Sequence, residues 1–176
     1  MGQHNYYKDC HKGEYKLIHP EKYMQGIPAP VFKSSWEERM FIVCDVNPFV
    51  TLWGYEPFAI SYFSPLYQKQ SLYKPDIYLE CKYPDGHSER YLIEIKPNAY
   101  AIFGKEPKAP GPKVTDPKRL ENYRKRKAAF DRKNMDVAVN YAKWEAAEAW
   151  CKANGVNWLI ATDTNMGSLF KKDVKI

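Results

Sequence analysis

The pattern of apolar and polar positions divides the chain into segments, and the first of them lacks a clear period. Residues 1–30 end in a turn-rich stretch that contains Gly26, Pro28 and Pro30. Clusters of glycine and proline interrupt regular secondary structure. We therefore expect residues 1–30 to form an N-terminal arm that packs on the rest of the protein or on a partner.

A short helix is predicted in the next segment, SSWEERMFIVCDVNP. Ser34 or Ser35 can cap its first turn, and Pro48 cannot continue it. Four apolar side chains recur at helical spacing and predict one buried face, made of Trp36, Met40, Val43 and Cys44.

Between Val50 and Pro97 the pattern changes to that of strands. Aromatic and β-branched residues dominate, and proline and glycine interrupt them, which fits three or four strands. The Asp85-Gly86 pair between IYLECKY and RYLIEIK is typical of a tight hairpin turn. We therefore expect these two segments to pair as antiparallel strands.

A proline-rich surface loop is predicted at about 104–117, and a long helical pattern follows over 118–154. The length of this pattern allows for two helices with a break near Asn134. Gly155 is a natural stop for the helix. VNWLIATD then predicts a last buried strand, and 166–176 a C-terminal tail.

This order of elements predicts an α/β or α+β protein. A strand reached through a crossover helix usually lies parallel to its neighbour, so the sheet should be mixed and flanked by helices. With 176 residues against about 150 per domain, we expect one main domain, over 31–165. The longest apolar run has five residues, whereas a membrane span needs roughly 20, so no membrane partner is expected.

The cysteines and the N-terminus exclude several classes of protein. The four cysteines contain no CxxC pair, which argues against a zinc ribbon and against a dithiol redox motif. We expect reduced, cytosolic thiols. The polar N-terminus shows no apolar segment typical of a secretory signal.

Charge is concentrated in one short segment. The net charge is +6, and residues 116–133 hold eight basic and three acidic side chains, so they carry most of the excess. A basic helix can bind phosphates without sequence preference, although a solvated helix face is the ordinary explanation. The candidate DNA-binding residues are Lys118, Arg119, Arg124, Lys125, Arg126 and Lys127.

The predicted hairpin holds the residues best suited to catalysis. Side chains alternate along a strand, so Glu94 and Lys96 share one face, while Ile93 and Ile95 share the core face. Asp76 begins the adjacent strand, where antiparallel pairing can bring it beside Glu94. Two carboxylates and an ammonium would then converge in a cleft.

Such a group suits a hard divalent cation, Mg²⁺ with Mn²⁺ as the alternative, because few carboxylates suffice beside water and substrate phosphate. The cation would stabilise charge on the phosphate and activate a water, which Lys96 would orient. This implies hydrolysis of a phosphodiester. From spacing alone, however, Glu94 and Lys96 are explained at least as well by a surface ion pair.

The segment PDIYLECKYPDGHSERYLIEIKP resembles the PD-(D/E)xK nuclease superfamily, with Asp76 before one strand and Glu94-Ile95-Lys96 on the next. The upstream stretch SSWEERMFIVCDVNPFVTLWGYEPFAISY looks like TnsA-type and phage resolvase-type members, in which an S-x-x-E helix supplies another acid. In this chain the pattern indicates Glu37. The adjacent Glu38 remains the alternative, since only one of the two can point directly at the site.

A more extensive resemblance covers about Ser34 to Asp163. In order, SSWEERMFIVCDVNP, WGYEPFAISYFSPL, YKPDIYL, YLIEIKP and YAKWEAAEAWCKANG resemble the head-completion nuclease family of T4-like tailed phages. This resemblance implies a PD-(D/E)xK, restriction-endonuclease-like core and a Mg²⁺-dependent endodeoxyribonuclease. It implies that metal is bound by Glu37, Asp76, Glu94 and the main-chain carbonyl of Ile95, and that Lys96 assists the attacking water.

The same resemblance implies where the protein would act. Its substrate would be packaged double-stranded DNA or its end, held by the basic segment, and its further partners would be portal or neck proteins of the capsid. It would work in the host cytoplasm during infection, with the virion as a second location. Independently of the resemblance, the position of Asp163 at the end of the last predicted strand makes it a candidate outer-shell acid.

Two other functions stay open. The chain would also suit a structural neck or portal assembly protein with a nuclease fold, because an aperiodic arm and a basic tail are segments that order on a partner. A TnsA-like transposase subunit or a junction resolvase would use the same residues. A resolvase requires a dimer, and the sequence does not give the oligomeric state.

Overall fold

The computed structural model describes residues 11–111, 115–162 and 165, which form eight strands and two α-helices. The helices are α1 (Ser35–Val46) and α2 (Pro117–Asn154). The strands are β1 (Gly13–Glu14), β2 (Val31–Phe32), β3 (Val50–Tyr55), β4 (Ile60–Ser64), β5 (Lys69–Tyr73), β6 (Ile77–Lys82), β7 (Ser88–Ile95) and β8 (Asn157–Ala161). Within the described ranges no helix is long and apolar enough to cross a membrane. Outside them lie Cys10, Asp163 and the predicted tail 166–176.

The chain divides into two compact units. The first consists of Met1–Ile60, Leu72–Ile95 and Ala147–Ala161. The second consists of Ser61–Ser71, Lys96–Ala146 and Thr162–Ile176. The boundaries proposed from the sequence for an arm, a nuclease-like domain and a tail stay a prediction.

The main sheet belongs to the first unit and has the strand order β3-β6-β7-β8. β6 pairs antiparallel with β3 and with β7, whereas β8 lies parallel to β7. The mixed α/β class is therefore confirmed. The β6–β7 hairpin turns at Gly86, whose φ of 90° lies in a region that glycine enters without steric cost, as the Asp85-Gly86 signal predicted.

The structure has five strands between Val50 and Ile95, so the prediction of three or four was wrong. The difference is the short hairpin of β4 and β5, which pair with each other in a separate two-stranded sheet. Its turn is closed by Gln68 N, which donates to Ser64 O at 2.8 Å. Alternate residues of β4 are exposed, so this hairpin does not show the continuous apolar pattern of the core strands.

Helix α1 begins and ends as its capping signals predict. The Ser34 Oγ atom accepts a hydrogen bond from Glu37 N at 3.2 Å, which satisfies one of the unpaired N–H groups of the first turn. The helix stops at Val46, two residues before Pro48. The cap therefore determines where the helix starts, and Glu37 lies in its first turn.

The buried face of α1 differs in part from the prediction. Met40 and Cys44 are buried as expected, together with Phe41 and Asp45. Phe41 packs against Trp53, with ring centroids 5.6 Å apart, so the helix turns this side to β3. Trp36 and Val43, which were also predicted to be buried, are only partly buried.

Asp45 is buried because it anchors the segment that precedes α1. Its Oδ2 atom accepts hydrogen bonds from Ile18 N at 2.7 Å and from the Tyr15 hydroxyl at 3.0 Å. Its Oδ1 atom accepts from His19 N at 3.0 Å. The described part of the predicted arm therefore packs on α1 within the first unit.

Helix α2 is continuous over 38 residues, as the long helical pattern predicted, and the alternative of two helices with a break near Asn134 is wrong. The Asn134 Oδ1 atom accepts a hydrogen bond from Gly104 N at 2.9 Å. The side chain of Asn134 thus binds the loop before α2, while its backbone stays helical. The predicted stop is confirmed, since Gly155 has a φ of 63° and Val156 N donates to Cys151 O at 3.0 Å.

Candidate active site

The candidate active site lies where β6 begins and β7 ends. Register pairs Ile77 with Ile93, so Asp76, one residue before β6, comes beside Glu94. The Asp76 Oδ2 atom accepts a hydrogen bond from Ile95 N at 2.6 Å. The structure therefore brings together Asp76, Glu94 and the main chain of Ile95.

Glu94, which the sequence pattern predicted to point into a cleft, is buried in the structure. Only 4% of the Glu94 surface is exposed, and the preceding residues Leu92 and Ile93 are fully buried on the two faces of β7. A carboxylate removed from water is costly unless hydrogen bonds compensate it. The Tyr73 hydroxyl supplies one, donating to Glu94 Oε2 at 2.5 Å.

Tyr73 is a site residue that the sequence reasoning missed. It ends β5 and is 5% exposed. Burial, followed by the negative charges of Glu94 and Asp76, raises the pKa of its hydroxyl far above the usual value, so the hydroxyl stays protonated. With 14 tyrosines in the chain and a contact that spans 21 positions, no local signal pointed to it.

Glu37 takes part in capping α1. Its Oε2 atom accepts a hydrogen bond from Lys33 N, while Ser34 Oγ accepts from Glu37 N. This arrangement resembles a capping box, except that the glutamate accepts from the N–H of Lys33, one residue before the N-cap Ser34. The alternative acid, Glu38, has its Oε1 atom 3.8 Å from His11 Nε2. The choice between the two acids stays a prediction.

The three predicted acids do not form one cluster. Within residues 11–111, 115–162 and 165, no three His, Cys, Asp or Glu side chains come together as a group that could hold a metal ion. Asp76 and Glu94 are neighbours, but the structure does not join Glu37 to them as a third ligand. A metal centre with all three stays a prediction.

Lys33 and Glu56 form a charged pair that the sequence did not suggest. The Lys33 Nζ atom lies 2.7 Å from Glu56 Oε1, and Glu56 N donates to Asp76 O at 3.0 Å. The hydrogen bond to Glu56 raises the pKa of Lys33. Partial burial opposes ionisation of Glu56, but the bond to Lys33 lowers its pKa. Lys33 thus links the start of α1, through Glu56, to the backbone of Asp76.

Lys96 and the basic segment belong to the second unit. Lys96 follows Ile95 directly and is partly buried. On α2, Lys125 pairs with Glu121 at 2.6 Å. Lys127 pairs with Asp131 at 2.7 Å and with Glu106 at 2.9 Å, which raises its pKa. In the part of the chain that the structure describes, no ion pair is found for Lys118, Arg119, Arg124 and Arg126.

A cavity of about 520 Å³ opens beside this basic segment within the second unit. Its lining combines cationic side chains with the apolar surface of Phe130 and Ala129, and the cations are Lys105, Lys108 and Arg126. Among the described lining residues the acid is Glu106, which is paired with Lys127. The cavity is therefore electropositive.

Comparison with known proteins agrees with the geometry. The model of the family described as TnsA-like endonuclease N terminal matches residues 47–163, which include Asp76, Glu94 and Lys96. The chain is also 29% identical over 146 residues to the "Head completion nuclease" of Enterobacteria phage T4, an alignment that covers 82% of this chain and 87% of that relative. The chain therefore belongs to the TnsA-like N-terminal endonuclease family, as the resemblance of its motifs implied.

Proposed function

We propose that the protein is a metal-dependent DNA endonuclease that acts on packaged DNA or its end during completion of a phage head. The observation that carries the proposal is the pairing of Asp76 and Glu94, held by defined hydrogen bonds at the adjoining ends of β6 and β7. Family membership supports endonuclease chemistry, and the name of the T4 relative supports head completion.

The donor set at this position fits a hard divalent cation, Mg²⁺ or Mn²⁺. Asp76 and Glu94 offer carboxylate oxygens and Ile95 a main-chain carbonyl, and Mg²⁺ needs few protein ligands because it keeps several waters. We include Glu37 as the further acid. When bound, the cation would stabilise negative charge on the phosphate and would lower the pKa of a water molecule.

The protein's own residues would prepare this site. Ile95 N orients the Asp76 carboxylate, and the Tyr73 hydroxyl orients that of Glu94. Burial of Glu94 excludes bulk water, so charges in the site interact more strongly than at an open surface. We assign Lys96 the role of holding the attacking water and stabilising negative charge on the phosphate.

Cleavage of supercoiled plasmid tests this function. We expect the purified protein to nick the DNA with Mg²⁺ or Mn²⁺, to lose this activity in EDTA, and to leave an RNA of the same length intact. Folding should be checked by circular dichroism. Cleavage that persists in EDTA would contradict metal dependence, whereas a folded protein without any cleavage would favour the assembly role instead.

We also propose that α2 binds DNA phosphates through those of its cations for which the described residues supply no ion pair. Arg119 and Arg126 lie seven residues apart, so they share one helical face, and Arg126 also lines the electropositive cavity. Lys125 and Lys127 are engaged by acids, so part of their charge is already neutralised. We therefore expect the arginines to contribute more to binding.

Two double variants separate these contributions. The logarithm of the DNA-binding constant falls linearly with the logarithm of the salt concentration. Replacing Arg119 and Arg126 by alanine should make this negative slope shallower by about 1.8, because each phosphate contact on duplex DNA contributes about 0.9. Replacing Lys125 and Lys127 by alanine should change the slope less. Fluorescence anisotropy with a labelled duplex between low and physiological salt measures both slopes, and equal slopes for the wild type and the arginine variant would contradict this interface.

We extend the proposal to the setting in which the enzyme works. The name of the T4 relative refers to head completion, and on that basis we propose portal or neck proteins as partners and action in the infected host cell or in the virion. A TnsA-like transposase subunit and a junction resolvase remain alternatives on the family match. A resolvase would elute as a dimer from a sizing column.

A further inference from the structure

We propose that Tyr73 is a positioning residue that holds the Glu94 carboxylate ready for the divalent cation, an inference that rests on the proposed metal-dependent nuclease function. The contact is direct, since the Tyr73 hydroxyl donates to Glu94 Oε2 at 2.5 Å. Both partners are buried, with 5% of Tyr73 and 4% of Glu94 exposed. The bond therefore forms where no bulk water can replace it.

The segment that carries Tyr73 also carries Asp76, three residues later. Between them lies Pro75, which is fully buried and has a fixed φ. Two hydrogen bonds in opposite directions join this segment to the end of β7: Tyr73 OH donates to Glu94, and Ile95 N donates to Asp76. Each carboxylate is thus held by a donor from the other strand segment.

The chemistry of the donor favours this role. The Tyr73 hydroxyl is neutral, so it orients the Glu94 carboxylate without adding a charge of its own to the site. Hydrogen bonds to ligating groups are a general means of fixing metal ligands. Loss of the hydroxyl should leave Glu94 present and Asp76 still bonded to Ile95 N, so only the orientation of Glu94 changes.

Tyr73→Phe removes the hydroxyl and keeps the ring that fills the core. We expect its Kd for Mn²⁺, measured by titration calorimetry without DNA, to rise about 10- to 100-fold, the usual range for losing such a partner. Saturating metal should restore most of kcat. The variant should therefore need a higher metal concentration for half-maximal activity, with little change in the maximal rate. The rise in Tm caused by Mn²⁺ should shrink in the same variant.

Tyr78→Phe is the matched control. Tyr78 is also a buried tyrosine of the first unit, and its hydroxyl donates to Glu80 Oε1 at 2.8 Å, but Glu80 is not among the proposed ligands. We expect its Mn²⁺ affinity to equal that of the wild type. In a Glu94→Gln background, Tyr73→Phe should cause no additional loss of affinity if it acts through Glu94.

The possible outcomes separate this inference from the proposed function. If the wild type binds Mn²⁺ and Tyr73→Phe binds it equally well, the positioning role is wrong and the nuclease proposal stands. Equal losses in Tyr73→Phe and Tyr78→Phe would also overturn it, because they would indicate a general loss of packing. A folded wild type that neither binds Mn²⁺ nor cleaves DNA would overturn both proposals.

Discussion

Asp76→Asn is expected to reduce metal-dependent plasmid cleavage by about 1000-fold, at the upper end of the effects seen when a group that stabilises transition-state charge is removed. The substitution removes a negative charge from the proposed metal centre. It keeps an oxygen that can accept the hydrogen bond which Ile95 N donates to Asp76 Oδ2. The fold should therefore survive, and the loss should be one of metal binding and catalysis.

The matched control for this prediction is Asp85→Asn. Asp85 is an exposed acid at the β6–β7 turn, where it accepts a hydrogen bond from His87 N, at the other end of the hairpin from Asp76. Initial rates of nicking over a range of Mg²⁺ concentrations, with Tm as the test of folding, compare the two variants. Equal cleavage by the wild type and Asp76→Asn would place the active site elsewhere.

Lys96→Met is expected to lower kcat about 100-fold while Mn²⁺ affinity changes little. The methionine keeps most of the length of the side chain and removes the ammonium that we assign to the attacking water and the phosphate charge. An ammonium is not a metal ligand. A loss in rate without a loss in metal affinity would therefore distinguish Lys96 from Asp76 and Glu94.

Lys82→Met provides the comparison, because Lys82 is an exposed lysine at the end of the neighbouring strand β6. Single-turnover nicking gives the rate, and calorimetric titration with Mn²⁺ gives the affinity. If Lys96→Met cleaves as fast as Lys82→Met, the catalytic role of Lys96 must be abandoned. A large rise in its Kd for Mn²⁺ would instead assign Lys96 to the integrity of the metal site.

Local signals accounted for much of the fold. The cap at Ser34 or Ser35, which the structure assigns to Ser34, the turn at Gly86 and the stop at Gly155 were correct, because each depends on a few consecutive residues and on backbone geometry. The alternative of two helices with a break near Asn134 was wrong, since α2 is continuous. The Asn134 side chain instead accepts a hydrogen bond from Gly104 N, 30 residues away. A local pattern cannot contain such a contact.

The candidate site shows the same division. The hairpin alone predicts that Asp76 and Glu94 are neighbours, since antiparallel pairing across a short turn determines the register. It does not predict how deeply Glu94 is buried, because that depends on what covers each face of β7. Nor does it predict that Glu37 accepts a hydrogen bond from Lys33 N beside the helix cap, since the same S-x-x-E spacing suits a cap and a catalytic acid.

By itself, the sequence determined the family, the mixed α/β class, the hairpin and the pairing of two acids on it, because these follow from short-range periodicity and from ordered motifs. Only the tertiary structure decided which groups support those acids. Tyr73 meets Glu94, and Asp45 holds the segment before α1, through contacts between residues more than 20 positions apart. Such contacts arise from the packing of whole elements, and that packing is a property of the folded chain.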